Sequence, residues 1–406
     1  MTDVVVIGAG QAGASLVARL RAKGHDGRIT LIGAEPVPPY QRPPLSKAYL
    51  LGEMEEERLY LRPASFYAEQ DIALVTGQPV TAIDRAARRV QTAGGAVSYD
   101  HLALCTGAVP RRLPAAIGGD LDGVFTVRSL ADVDAMAPRF TAGARVLIVG
   151  GGYIGLEAAA VAAKRGLHVT LIEMADRILA RVAAPETADY FRALHAAHGV
   201  TIREATGLAR LTGETAVTGA ELSDGSRLDV DFVIAGIGIA PDTALARAAG
   251  LEIDNGIATD AYGRTSDAHV WAAGDCASFP APQGRMRLES VGNAIDMAEA
   301  VADNMLGAGL PYHAKPWFWS DQYDVKLQIA GLGTGHDRVV IRDDGKGARS
   351  HWYFGGGRLL ALDAMNDPRA YMVGKRLIEA GLSPEPATVA NPDTDLKVLM
   401  TTMMRG

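Results

Sequence analysis

The 406-residue sequence predicts an α/β fold with two parallel-stranded units and a small α+β C-terminal domain. Two observations carry this. A β-branched strand, a glycine turn and a helical pattern follow one another twice, from residue 4 and again from residue 145. Beyond residue 316 the glycine turns give way to aromatic-rich runs, with "KLQIAGL" (326–332) and "RLLALDAMN" (358–366) reading as strands.

In the first copy, "VVVIGAGQAG" (4–13), an apolar strand leads into Gly8, Gly10 and Gly13 in G-x-G-x-x-G spacing. A helical pattern through Leu16 and Leu20 follows, and a second strand, "RITLIGAE" (28–35), ends in Glu35. Each glycine has a physical reason. Gly8 makes the tight turn, Gly10 lets the backbone approach a pyrophosphate, and Gly13 lets helix and strand pack closely. The free N–H groups of the helix start then face the phosphates. Glu35 is placed to accept the hydroxyls of an adenosine ribose.

The second copy, "RVLIVGGGYIGLEAAA" (145–160), gives Gly150, Gly152 and Gly155, and the strand in "HVTLIEMADRIL" (168–179) ends in Glu173. One such fingerprint is a weak signal. Two, each after a strand, opening a helix and followed by a late acid, predict two bound dinucleotides. A carboxylate at 173 suits the free 2′-hydroxyl of NADH and repels the 2′-phosphate of NADPH. Arg177 either softens that preference or lies on a solvated helix face.

Composition narrows the class. Net charge is −7, which argues against a general nucleic-acid binder. The two cysteines, Cys105 and Cys276, form no CxxC pair, so a disulfide framework, a Cys-rich metal site and a redox-active disulfide are excluded. Both lie at strand ends in apolar sequence and read as small packing residues. No metal site is expected. His195 and His198 are spaced i, i+3 without further ligands and read as a solvated helix face. No signal peptide and no apolar run of transmembrane length are seen, so a cytoplasmic protein without a membrane partner is expected.

Three further segments end strands in turns: "LALCTGAVPR" (102–111) at Thr106-Gly107, "DFVIAGIGIAPD" (231–242) at Gly236-Ile237-Gly238, and "TSDAHVWAAGDCA" (265–277) at Gly274-Asp275. "PYQRPPLSK" (39–47) is a stiff loop rich in proline, and Ser46 reads as the N-cap of a helix. With "RPPLSK", "GGGYIGLE" (150–157), "AGIG" (235–238), "GDCA" (274–277) and "PWFWSDQY" (316–323), the chain resembles the NADH-dependent ferredoxin reductases of the putidaredoxin reductase type. These are two-dinucleotide flavoproteins with Rossmann-like, glutathione-reductase-like domains, and the resemblance covers nearly the whole chain.

What the resemblance implies is specific. The N-terminal fingerprint holds FAD, with Gly8, Gly10, Ala12, Gly13, Glu35, Val80, Thr106, Gly107, Gly274 and Asp275. Arg128 meets the FAD phosphate, Val291 starts a helix aimed at the flavin, and Trp319 lies beside it. The internal fingerprint holds NADH, with Gly150, Gly152, Tyr153, Ile154, Gly155, Glu173, Gly236, Ile237 and Gly238. Lys47 reaches the flavin ring, and Arg42 is a flavin-side or docking cation. Glu157 either pairs with Lys47 or is held by local hydrogen bonds. Tyr153 either covers the flavin until nicotinamide displaces it or packs on the sheet.

The FAD domain is expected at 1–112 and 243–312, the NADH domain at 113–242, and the C-terminal domain at 313–406. The helix in 184–200 should end at Gly199. The tail "VLMTTMMRG" (398–406) is a packing segment or a frayed end. The expected enzyme passes electrons from NADH through FAD to a [2Fe–2S] ferredoxin serving a cytochrome P450 or a ring dioxygenase. Alternatives are a rubredoxin reductase, or a flavoprotein of the apoptosis-inducing-factor kind that acts through binding partners. Docking would be transient and electrostatic, with Arg42, Arg62, Arg111, Arg112, Arg285 and Arg287 as candidate cations, on a monomer or weak homodimer.

Overall fold

The computed structural model describes residues 2–282 and 284–405. The chain divides into two compact units. The first comprises the chain up to Arg42, Glu55–Val109 and Ile239–Pro316, and the second comprises Pro43–Met54, Pro110–Gly238 and the chain from Trp317 onward.

In the first unit, five parallel strands run in the order Val270–Ala272, His101–Leu104, Val4–Ile7, Ile29–Ile32, Ile72–Val75. The strand Val4–Ile7 is central and buried throughout, which is why it reads as an unbroken apolar run. The helix Gln11–Ala22 buries Leu16, Val17 and Leu20. It packs against the helix Val291–Met305, and Arg19 joins the two by a bidentate pair to Asp303 at 2.8 and 2.7 Å. A separate antiparallel sheet holds Ala82–Asp84, Arg89–Thr92 and Gly95–Ser98.

The second unit repeats the parallel motif, in the order Thr201–Arg203, His168–Ile172, Arg145–Val149, Phe232–Ala235, Val124–Phe125. Its crossover helix is Tyr153–Lys164. The helix Pro185–Ala197 ends before Gly199, which takes φ +77°, as its glycine signature predicts.

The C-terminal segment of this unit forms five antiparallel strands, ordered Trp317–Gln322, Val325–Gly331, Arg358–Met365, Arg349–Gly355, Arg338–Asp343. The helix Pro368–Glu379 packs on it. The tail is a packing segment: the helix Leu396–Arg405 buries Leu396 and lays Leu399, Met400 and Met403 on the same core. Gly406 lies outside the described residues.

A buried polar knot ties the helix Pro185–Ala197 to this sheet. Thr187 Oγ1 donates to Asp363 Oδ2 at 2.7 Å, and the Tyr353 hydroxyl donates to the same oxygen. Burial pushes the Asp363 carboxyl up to about 6, although both hydroxyls act to lower it.

Candidate functional site

In the first unit the three fingerprint glycines separate by what surrounds them. A Cβ at Gly8 would stand 2.1 Å from the Cys105 carbonyl oxygen, and one at Gly13 would stand 2.0 Å from the Gly8 carbonyl oxygen. A Cβ at Gly10 would meet nothing within 4 Å. So Gly8 and Gly13 are required by the fold, while Gly10 keeps open space beside the helix start. Gly10 is the N-cap of Gln11–Ala22, and no side chain caps it and no acid lies in the first turn. Its N–H donors are therefore available to an anion.

Ala12 is buried at this helix start, and Gly274, at φ +82°, sits so close that its own Cβ would lie 2.9 Å from that of Ala12. Asp275 follows directly. Thr106 Oγ1 donates to the Asp242 carbonyl oxygen at 2.6 Å, and the Gly107 carbonyl accepts from Asp242 N at 2.9 Å. Val80 is buried. Glu35 is engaged: the Tyr40 hydroxyl donates to Oε2 and Arg42 Nη2 to Oε1, both at 2.6 Å. Each carboxylate oxygen has a second acceptor position, so the pair orients Glu35 and leaves it able to take a ribose hydroxyl. The helix Val291–Met305 begins at Val291 as expected, with Ser290 Oγ accepting from Asn293 N at 3.1 Å.

Both cysteines are buried, and burial pushes both thiols up, away from the reactive thiolate. Two proposed docking cations are committed internally: Arg287 pairs with Glu289, and Arg285 Nη2 donates to the Thr259 carbonyl at 2.8 Å. Arg62 is exposed.

The second unit repeats the cradle. A Cβ at Gly150 would stand 2.4 Å from the Gly236 carbonyl oxygen and one at Gly155 2.1 Å from that of Gly150, whereas one at Gly152 would meet nothing within 4 Å. Gly152 is the N-cap of Tyr153–Lys164, again without a side-chain cap or a first-turn acid. Ile154 is exposed and Ile237 partly buried beside this turn. Gly238, at φ +95°, presents its carbonyl to Arg111 N at 2.9 Å.

Glu173 grips the glycine turn itself: Oε2 accepts from Gly151 N at 2.7 Å and Oε1 from Ala175 N at 2.8 Å. Met174, next to it, is 81% exposed. Arg177 turns away to the carbonyls of Ile178 and Ala180, at 3.5 and 3.3 Å. Arg111 and Arg112 are exposed. Arg128 precedes a capping box, its N–H donating to Asp132 Oδ2 at 3.1 Å.

"RPPLSK" forms a 3-10 turn over Pro43–Ser46, and Ser46 does not cap a helix. Its hydroxyl donates instead to Glu157 Oε2 at 2.6 Å. Lys47 Nζ meets the same oxygen at 2.7 Å, and Ser320 Oγ donates to Oε1 at 2.7 Å. Glu157 is 4% exposed. The two-residue period of Trp317–Gln322 explains this convergence. Phe318, Ser320 and Gln322 share one face; Phe318 packs against Tyr153 with ring centroids 5.0 Å apart and the rings tilted, and Ser320 meets Glu157 one helical turn further on. Trp319 lies on the opposite face, stacked on Trp317 at 5.5 Å. The Tyr153 hydroxyl is buried with no hydrogen-bond partner.

His195 corrects the expectation of a solvated face. It is 0% exposed and bound to Gln322, and burial lowers it to about 4. Only His198 is exposed. Among the described residues no helix is long and apolar enough to cross a membrane, and no group of three or more His, Cys, Asp or Glu residues is set to hold a metal ion.

Two glycine cradles, each with an uncapped helix start and a strand-end carboxylate, define a protein that binds two dinucleotides. Residues 2–298 match the pyridine nucleotide-disulphide oxidoreductase family and residues 317–400 the reductase C-terminal family, and the chain belongs to the first and carries the second. It is 46% identical over 406 residues to a ferredoxin–NAD(P)(+) reductase of Sphingomonas sp., covering 98% of each. It is 41% identical to putidaredoxin reductase of Pseudomonas putida, covering 98% of this chain and 96% of that one. The crystal structure of a covalent putidaredoxin reductase–putidaredoxin complex superimposes with a TM-score of 0.95 at 40% identity, covering 100% and 99% of the two chains. The protein is an FAD- and NAD(P)H-dependent oxidoreductase of the ferredoxin reductase class.

Proposed function

We propose that this enzyme takes a hydride from NADH onto FAD and passes electrons singly to a [2Fe–2S] ferredoxin of an oxygenase system. The observation that carries the reading is the paired open space at Gly10 and Gly152, each beside a helix start whose donors no side chain occupies. FAD, when bound, supplies the exchange between two-electron and one-electron chemistry.

The chain's own residues bind and orient. In the first unit Gly8, Gly10 and Gly13 shape the pyrophosphate cradle, Glu35 takes the adenosine ribose, and Thr106, Gly107, Gly274 and Asp275 complete the FAD contacts with Ala12, Val80 and Val291. In the second unit Gly150, Gly152, Ile154, Gly155 and the Gly236-Ile237-Gly238 turn hold the nicotinamide dinucleotide. Glu173 selects the unphosphorylated ribose, because a 2′-phosphate would meet a carboxylate already fixed by two backbone donors. Lys47, held on Glu157, supplies the cation that answers negative charge on the reduced flavin. Tyr153 and Trp319 are the aromatic groups assigned to the flavin, and Arg128 the phosphate cation. Arg62, Arg111 and Arg112 are exposed and suit docking to an acidic ferredoxin. Arg42, Arg285 and Arg287 serve internal pairs instead.

The test is steady-state oxidation of NADH with and without a [2Fe–2S] ferredoxin, together with chromatography of the released flavin. Ferredoxin-dependent turnover and a flavin that runs as FAD are expected. Turnover indifferent to any such ferredoxin, or a flavin that runs as FMN, would overturn the reading.

A further inference from the structure

Glu157 is one end of a hydrogen-bonded chain of five side chains within the second unit. Ser320 Oγ donates to Glu157 Oε1 at 2.7 Å, and Gln322 Nε2 donates to Ser320 Oγ at 3.2 Å. Gln322 Oε1 lies 2.8 Å from His195 Nε2, and His195 Nδ1 lies 3.1 Å from the Tyr323 hydroxyl. Ser320, Gln322 and His195 are fully buried. Tyr323 leads outward, its ring stacked at 3.6 Å on the exposed His198.

The carboxylate fixes the direction of every link. An ionised carboxylate only accepts, so the Ser320 proton points at Glu157, and the serine oxygen must take its own bond from the Gln322 amide. That orients Gln322, whose carbonyl then requires Nε2–H on His195. A neutral imidazole protonated at Nε2 accepts at Nδ1, which the Tyr323 hydroxyl supplies. A hydroxyl rotor, an amide flip and a tautomer are thus set in series, and each has only one arrangement compatible with the next.

Tyr323 provides a second, independent observation. It occupies the hairpin turn between Trp317–Gln322 and Val325–Gly331 at φ +57°, a left-handed conformation that a bulky aromatic residue seldom adopts. Glycine or asparagine would suit that turn better, but neither carries a hydroxyl to His195 Nδ1. Strain retained at one residue is a pointer to its role.

We propose that Tyr323, His195, Gln322 and Ser320 are positioning residues of the reductase reaction, which together hold the Ser320 proton on Glu157 and so keep its carboxylate turned to Lys47. The proposal rests on the reading that the Lys47–Glu157 pair acts on the flavin. Its consequence is action at a distance. Without the Tyr323 hydroxyl nothing donates to His195 Nδ1, so the imidazole samples both tautomers and the Gln322 amide both orientations, and in the flipped one Ser320 loses the amide donor that backs its bond to Glu157. The Ser320–Glu157 bond weakens, and the carboxylate is held less tightly in the orientation that faces Lys47.

The experiment uses the FAD-loaded full chain as Tyr323→Phe, Gln322→Leu, Ser320→Ala and Glu157→Gln. Imidazole ¹⁵N and glutamate carboxyl ¹³C spectra report His195 and Glu157 directly, with Glu157→Gln supplying the carboxyl assignment. Stopped-flow reduction by NADH reports the reaction. A single Nε2–H tautomer is expected in the native protein and a mixture in Tyr323→Phe, with the Glu157 resonance displaced in all three chain variants. Reduction should slow about fivefold to tenfold, the scale of one lost hydrogen bond, with NADH affinity unchanged. A Glu157 resonance unmoved in both Tyr323→Phe and Gln322→Leu overturns the chain. Should Gln322→Leu fail to fold, Tyr323→Phe decides alone, since it removes one oxygen and keeps the ring. If Glu157→Gln itself reduces at the native rate, it is the reading of the ion pair that has failed. If Glu157→Gln is slow while Tyr323→Phe is not, the positioning role is the part overturned.

Discussion

Lys47 Nζ stands 2.7 Å from Glu157 Oε2, with the two side chains 18% and 5% exposed. The pair joins the proline-rich turn to the helix that opens the second glycine cradle. A buried ion pair costs desolvation on both partners and destabilises strongly when only one is removed. Lys47→Met should therefore cost about 2–4 kcal/mol in urea unfolding, because Ser46 and Ser320 alone remain to balance the Glu157 charge. The double variant Lys47→Met with Glu157→Gln should recover most of that loss. Recovery in the double variant marks the pair as coupled, whereas additive losses would mean the two side chains act separately.

The same substitution tests chemistry. FAD should stay bound to Lys47→Met, since the first cradle is untouched, while flavin reduction by NADH slows at nearly unchanged NADH affinity. Only interactions stronger in the transition state than in the ground state accelerate a step. An unaltered reduction rate with FAD in place would reduce Lys47 to a loop anchor.

Glu173→Ala should narrow the preference for NADH over NADPH by about 1–3 kcal/mol, the worth of one charged contact. The narrowing should come mostly from NADH, which loses its ribose acceptor, while use of both cofactors falls. Both Glu173 oxygens hold backbone N–H groups of the turn, at Gly151 and Ala175, and their loss loosens the cradle for either cofactor. The ratio of kcat/KM values for the two cofactors measures it, and equal efficiency in the native enzyme would count against the assignment.

Stability should fall in mild acid. Burial lowers His195 and His351 to about 4 from an ordinary value of 6.5, so each binds its proton in the unfolded chain first. Their contribution is complete above pH 6.5 and is lost as pH falls toward 4. Asp363, raised to about 6, works the other way, because the folded state holds its proton while the unfolded chain has released it. Between pH 4 and 6 the unfolded state thus carries a net excess of one proton from these three groups. Unfolding free energy should rise with pH there by about 1.4 kcal/mol per unit. Asp363→Asn should steepen this slope toward two protons, and a flat profile would show that these side chains are not buried as described.

The two cradles were legible in the sequence because their glycines recur at fixed spacing, with Gly8, Gly13, Gly150 and Gly155 answering a local steric demand and Gly10 and Gly152 keeping space open. The helix stop at Gly199 was legible from the left-handed turn that favours glycine, and the C-terminal strands from their runs of apolar, strand-forming residues. Ser46 was not. A serine after a proline run reads as a cap, and only the fold brings it within 2.6 Å of a carboxylate 111 positions away. His195 was misread because helix periodicity reports an apolar stripe, and a histidine facing a buried glutamine breaks that stripe without leaving the core. The role of "WFWSDQ" was half visible. Its tryptophans drew attention, but the strand's period sets Ser320 and Gln322, not Trp319, against the helices.

The glycines offer the sharpest separation of fold from function. Gly13→Ala places a Cβ about where the Gly8 carbonyl already stands, 2.0 Å away, so the protein should fold poorly whether or not FAD is supplied. Gly10→Ala meets no protein atom within 4 Å, and its φ of −99° suits any residue. By protein contacts alone it should be silent. If the space beside it belongs to a pyrophosphate, Gly10→Ala should instead fold with native secondary structure by circular dichroism yet lose FAD on gel filtration. Gly152→Ala repeats the test in the second cradle, where φ is −80° and the Cβ again meets nothing. It should keep FAD and raise KM for NADH by about tenfold or more, the scale of a contact displaced from a fitted phosphate. A Gly10→Ala protein that retains FAD at native affinity would show that the first fingerprint turns the chain without cradling a nucleotide.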